Sequence, residues 1–309
     1  MLRQAFTREL EMNVPAKLGK LPVIVAAFIV PAGCSTSPDH SAPISSTSSS
    51  SPSIARPQIE VPFTDMYSPG GVAVDTPGAV YVTDYGDNRV LKMPAGSTTQ
   101  VRMPINGLRD PEGVAVDAVG NIYVASAGNN QVVKLPVGST AQAGLPFTGL
   151  NFPYGVAVDA AGDVYVADSG NSRVLELPAG STAQVELPFA GLDHPYGVAV
   201  DTAGNVYVAD HNNDRVLKLR AGSTAQVELP FTGFSGQAPP NDVAVDSTGN
   251  VYAVDGLHQR ILELVAGSSA QVELPFGTGP GNGEGGVAVD ATGNIYVADP
   301  HRVLKLPVR

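Results

Sequence analysis

Few groups in this chain can do chemistry. It has five histidines, His40, His194, His211, His258 and His301, and a single cysteine, Cys34. One thiol forbids an internal disulfide and any zinc site built on two or more thiolates. A zinc site would need about three imidazoles around one point. His211, His258 and His301 are the set that keeps this open, since they recur at similar places in the chain. Calcium would need about six oxygens, toward which Glu112, Asp242 and Glu284 stand near the starts of Val-rich runs. There is no serine elbow, no Gly-rich phosphate loop, no His-Arg-Asp catalytic loop and no Asp-Phe-Gly. A denser constellation is Phe152, Tyr154, Asp193, His194, Tyr196 and His211, with His258 at a hairpin place like that of His211. Aromatics beside polar groups suit recognition of a peptide or a sugar.

These residues sit in a repeat. The element Gly-Val-Ala-Val-Asp, or Asp-Val-Ala-Val-Asp in one copy, ends at Asp75, Asp117, Asp159, Asp201, Asp246 and Asp290, at spacings of 42, 42, 42, 45 and 44 residues. Each unit holds four short runs of strand character, as in GVAVD, NVYVAD, RVLKL and QVELPF of residues 197–231. Val, Ile, Tyr and Leu dominate them and Gly-containing turns bound them. The first run is nearly all apolar, so it is expected to be the strand buried on both sides; the other three alternate. Four antiparallel strands in about 42 residues describe a propeller blade. The last unit stops after its third run, and a spare fourth run, QIEVPF, stands at 58–63. The spacing therefore predicts an all-β, six-bladed propeller over 58–309, its ring closed by the N-terminal strand, so that no sheet edge is left open at the joint. Such a ring needs no second chain, and a monomer is expected.

Within the repeat, Asp84, Asp168, Asp210, Asp255 and Asp299 end the second run, and Arg89, Arg173, Arg215, Arg260 and Arg302 open the third. The second unit has Ser126 and Gln131 instead, so both partners are lost together. This predicts a structural Asp–Arg pair across each hairpin. The Asp of GVAVD reads as a turn cap, and Tyr81, Tyr123, Tyr165, Tyr207, Tyr252 and Tyr296 read as packing residues. Function is expected where the units differ. Those places are the loops between blades, including the long 232–242 and 277–286, and the hairpin tips. On that surface Phe152, Tyr154 and Tyr196 equally suit a second role, closing the mouth of the central channel.

The repeat, for instance GVAVDTAGNVYVADHNNDRVLKL at 197–219, resembles that of the NHL-repeat family of six-bladed β-propellers. The wording LPF-x-GL-x-x-P-x-GVAVD and VLKL-x-AGS resembles the extracellular sensor domain of the mycobacterial receptor Ser/Thr kinase D, without any kinase domain. The resemblance implies a binding or sensing module. Some NHL-type propellers are lyases or lactonases that hold zinc or calcium on the axis, which is the alternative.

The N-terminal residues read as an address. Arg3, Arg8, Lys17 and Lys20 precede a 13-residue apolar run, Leu21–Gly33. A bilayer-spanning helix needs about 20 residues, so this is a secretory signal. Met12 offers a start free of Glu9 and Glu11. Cys34 follows Ala32-Gly33 and resembles the lipidated cysteine of a bacterial lipoprotein, with Pro31 where Leu is usual. Residues 34–57, rich in Ser and Pro, read as a tether. The chain has 309 residues and a net charge of −11. An acidic chain of this kind lacks the basic surface that nucleic acid requires. The expectation is a lipoprotein on the outer face of the plasma membrane, with an envelope peptide, glycan or protein as partner and no cofactor.

Overall fold

The computed structural model describes residues 57–236, 238–258, 260–274, 285–299 and 301–307. The expected signal 1–33, Cys34 and nearly all of the 34–57 tether lie outside the described residues, as do Glu284 and most of the 277–286 loop. Six four-stranded antiparallel sheets form the blades. The fourth blade shows the pattern: inner strand Pro195–Val200, second strand Val206–Asp210, third Arg215–Leu219 and outer Gln226–Glu228. In the sixth blade the order is Val287–Val289, Ile295–Asp299, Arg302–Leu306 and then Ile59–Val61 from the N-terminus. Ile59 pairs with Lys305 and Val61 with Val303, so the ring closes as the spare strand predicted. Among the described residues no helix is long and apolar enough to cross a membrane.

One expectation about burial is corrected. The second strand, not the inner one, is buried at every position in all six blades. The inner strands keep part-exposed positions such as Val74, Val116 and Val158. The reason is geometric. Each second strand is sandwiched between neighbouring blades, whereas the Val-Ala-Val segments of the inner strands line an axial channel of about 180 Å³.

The GVAVD aspartates cap the lower turns. Asp201 Oδ1 accepts the N–H groups of Ala203 and Asn205, and its Oδ2 accepts the Tyr207 hydroxyl at 2.9 Å. The same Asp–Tyr bond recurs in every blade, from 2.9 to 3.3 Å. Burial alone would raise these carboxyls, but for Asp117, Asp201, Asp246 and Asp290 the side-chain and backbone donors outweigh it and hold them below the usual range. Burial pushes the tyrosines up.

At the upper ends the predicted pairs are all present. Asp168, Asp210 and Asp255 are fully buried and meet Arg173, Arg215 and Arg260 at 2.7–2.8 Å; Asp84–Arg89 and Asp299–Arg302 complete the set. Asp84, Asp168 and Asp210 also accept backbone N–H groups from the loop that enters their blade. Asp210 Oδ1 accepts the Asp193 N–H at 2.8 Å, and Asp168 Oδ1 the Asn151 N–H at 2.7 Å. The arginine completes the clamp by donating to the same loop, Arg215 to the Gly191 carbonyl and Arg173 to that of Gly149. In the second blade the Ser126 hydroxyl takes the Arg109 N–H and donates to its carbonyl, so a neutral group replaces the charge pair.

Three outcomes are expected. Arg215→Ala leaves a buried carboxylate without its cation and lowers stability by about 3–5 kcal/mol, measured by urea unfolding. Deletion of residues 58–63 strips the outer strand from the sixth blade, exposes the edge of Arg302–Leu306, and gives oligomers in size-exclusion chromatography. The depressed lower-turn carboxyls add stability that is fully present above their unfolded value of about 4. That stability is lost as pH falls through their lower folded values. Thermal melts should show the loss below about pH 4, with a smaller loss in Asp201→Asn.

Candidate functional site on the upper loop face

The clamped loops present two arcs of side chains on the upper face. The outer arc is the residue before the inner-strand proline: Asp110, Phe152 and His194 in the second to fourth blades. All three have left-handed backbone, with φ of 48°, 52° and 49°, a conformation uncommon outside glycine. Each is held there by the preceding blade. Asn88 Oδ1 accepts the Asp110 N–H, Asn130 Oδ1 the Phe152 N–H, and Ser172 Oγ the His194 N–H. The backbone is thus fixed by the same contact three times while the side chain differs. Phe152 remains 42% exposed. His194 is exposed, with its Nδ1 2.7 Å from Asp193 Oδ1. The His194 ring, with the Asn212 amide, holds the Asp193 carboxyl below its ordinary range.

The inner arc is the next residue but one: Gly70, Glu112, Tyr154, Tyr196 and Asn241 in the first five blades. Tyr154 and Tyr196 stack with centroids 4.1 Å apart and planes within 8°. His211 continues the column, 3.9 Å beyond Tyr196. Its Nδ1 lies 3.3 Å from the Pro240 carbonyl, which ties the column to the fifth blade. Tyr154 is only 6% exposed and Glu112 4%. The column is packed at the head of the inner strands, and the outer arc is the more exposed part.

Of the sequence candidates, the structure brings Tyr154, Tyr196 and His211 into one column, and Asp193 and His194 into one pair joined by Asn212. Phe152 stands with His194 on the outer arc. His258 is elsewhere: its N–H and Nδ1 both engage Asp255, whose equivalents Asp168 and Asp210 take Asn171 and Asn213. It replaces a structural asparagine of the hairpin. The three hairpin histidines do not converge, and among the described residues no three His, Cys, Asp or Glu side chains come together to hold a metal ion. Asp242 is not placed as a ligand, since both of its oxygens accept backbone N–H groups.

Sequence reasoning missed Asn212 and the left-handed backbone of the outer arc. The signal for the second was present: an Asn, Asn or Ser at 88, 130 and 172, each four residues after the hairpin Asp or Ser.

Three segments, 66–93, 150–177 and 192–219, match the NHL repeat. The chain is a six-bladed β-propeller carrying NHL repeats. No curated protein matches it. Solved structures of like fold include a gluconolactonase from Xanthomonas campestris, with TM-score 0.66 and 15% identity over 82% of this chain and 89% of that one. A catalytically inactive virginiamycin B lyase from Staphylococcus aureus with quinupristin follows, with TM-score 0.60 and 13% identity over 82% and 99%. A nidogen/laminin complex aligns with TM-score 0.60 and 20% identity over 67% and 79%. At such identities the likeness is one of fold.

The two arcs should respond differently to truncation. Tyr196→Ala removes the centre of the column and is expected to cost about 2–4 kcal/mol. Phe152→Ala is expected to change stability by no more than about 0.5 kcal/mol. Chemical denaturation of both variants checks this.

Proposed function

We propose that the chain is a non-catalytic binding module of the cell envelope, anchored as a lipoprotein through Cys34, whose upper loop face takes a peptide, glycan or protein ligand. The observation that carries this reading is the outer arc. Three different side chains, Asp110, Phe152 and His194, stand on backbone that is locked in the same left-handed conformation by the neighbouring blade. Rigid display of varied side chains lowers the ordering cost of binding. Strain of about 1–3 kcal/mol per residue persists only where surroundings hold it, and it concentrates at ligand sites. The aromatic and polar mixture of Phe152, Asp193 and His194 fits a partly polar ligand.

The second reading, a metal-dependent lyase or lactonase, is favoured by the gluconolactonase and virginiamycin B lyase among the structures of like fold. Among the described residues no three His, Cys, Asp or Glu side chains stand together to hold a metal ion; Glu284 lies outside them.

Two measurements separate the readings. Arrays of envelope peptides and glycans should contain a ligand whose affinity falls at least about tenfold, or 1.4 kcal/mol, in Phe152→Ala and His194→Ala. Ligands that bind both variants as well as the parent count against the loop face. Elemental analysis of the dialysed protein should show well below one metal per chain. About one zinc or calcium, lost under EDTA together with a fall in melting temperature, would carry the enzyme reading instead.

A further inference from the structure

The lower face, away from the two arcs, carries a cleft between the first and second blades. Its volume is about 440 Å³, and it is lined by Asp75, Pro77 and Lys92 of the first blade and by Val119, Pro136 and Val137 of the second. A cavity of that size takes a small molecule or a short peptide segment. Three departures from the repeat meet in it.

The first is Asp75. A carboxylate has about four lone-pair sites. In Asp117, Asp201, Asp246 and Asp290 each oxygen accepts at least two hydrogen bonds. The donors are the N–H groups of the second and fourth residues on, the amide of the Asn at that fourth place, and the blade's tyrosine. In the first blade Pro77 has no N–H and Ala79 has no amide. Among the described residues Asp75 Oδ1 accepts the Ala79 N–H alone, at 2.7 Å, and Oδ2 the Tyr81 hydroxyl alone, at 2.9 Å.

The second is Lys92. Its equivalent in the fourth blade, Lys218, donates to the Tyr207 hydroxyl at 2.6 Å. Among the described residues Lys92 makes no hydrogen bond: its Nζ stands 3.8 Å from Asp75 Oδ2 and 4.8 Å from the centre of the Tyr81 ring. The cleft thus holds a positive and a negative group side by side, each with hydrogen-bonding capacity to spare. The third departure is apolar. Val119 and Val137 are 68% and 61% exposed. The other blades have Pro77, Ala161, Ala203, Thr248 and Thr292 at the first of these places, and the first, third, fourth and fifth have Ala95, Ala179, Ala221 and Ala266 at the second. Two branched apolar side chains in solvent at one cleft mark a contact surface.

We propose that the cleft is a second binding site, separate from the loop face, for a neutral peptide segment with an aliphatic side chain. The charges decide the class. Lys92 attracts an anion, but Asp75 stands 3.8 Å from it and repels the same group; a cation meets the reverse. A peptide group carries an acceptor and a donor on one neutral frame. Its carbonyl takes the Lys92 ammonium and its N–H an open lone pair of Asp75. The aliphatic side chain covers Val119 and Val137 and removes them from water. A sugar meets the polar pair but brings no aliphatic branch for the valines. Phe152 and His194 lie on the opposite face, so this site stands or falls apart from the loop-face reading.

Methyl-shift titration of the full chain with N-acetyl-leucine N-methylamide tests this. The Val119 and Val137 methyls are expected to shift with a dissociation constant of about 1 mM or tighter. Isocaproate and isoamylamine, which carry the same isobutyl branch on an anion and a cation, should bind at least about tenfold more weakly. Lys92→Met and Val137→Ala should each weaken binding of the amide at least about tenfold, while Phe152→Ala and His194→Ala leave it unchanged. Methyls that do not move at saturating amide, or an ion that binds as tightly as the amide, overturn the proposal. Should Lys92→Met fail to fold, Val137→Ala decides, since it only restores the alanine of the other blades: parent-like binding there overturns the site.

Discussion

The buried carboxylate at the upper end of the second strand is the constraint on which the loop face depends. A fully desolvated charge is tolerable only when it is paired and its remaining lone pairs are filled. Asp210 meets both conditions by binding Arg215 and the Asp193 N–H, while Arg215 binds the Gly191 carbonyl. Strand, hairpin and incoming loop are thereby locked by one carboxylate. The clamp repeats in the first, third and fourth blades, with the Ser126 hydroxyl in its place in the second, and side chains between the held points are free to differ.

A second tie links the blades in sequence. Gln142 donates to the Asn106 carbonyl and accepts its N–H, and Gln184 and Gln226 do the same for Thr148 and Ala190. Closure by Ile59–Val61 makes the last blade like the others at its rim. At the axis Asp242 accepts the Val287 N–H, which ties the fifth blade to the sixth.

Fold was legible because period and punctuation repeat six times. The spare QIEVPF run determined closure, and the loss of Asp and Arg together at Ser126 and Gln131 revealed the pair. Burial was misread because periodicity cannot tell a strand that lines an open channel from one packed on both faces. The site was half legible. Tyr154, Tyr196 and His211 stood out as aromatics on varying loops, but that they form a column depends on how blades are juxtaposed. His258 was grouped with His211 by position, whereas it does the work of the asparagine at 171 and 213.

The claim that the loop face is organised by the buried carboxylates is tested most directly by hydrogen exchange in Asp210→Asn. The Asp193 amide, which donates to Asp210, should exchange at least a hundredfold faster. The Asn205 amide at the opposite end of the same blade should keep its protection, as a local and not a global opening. Equal acceleration at both amides, or none at Asp193, would contradict the account.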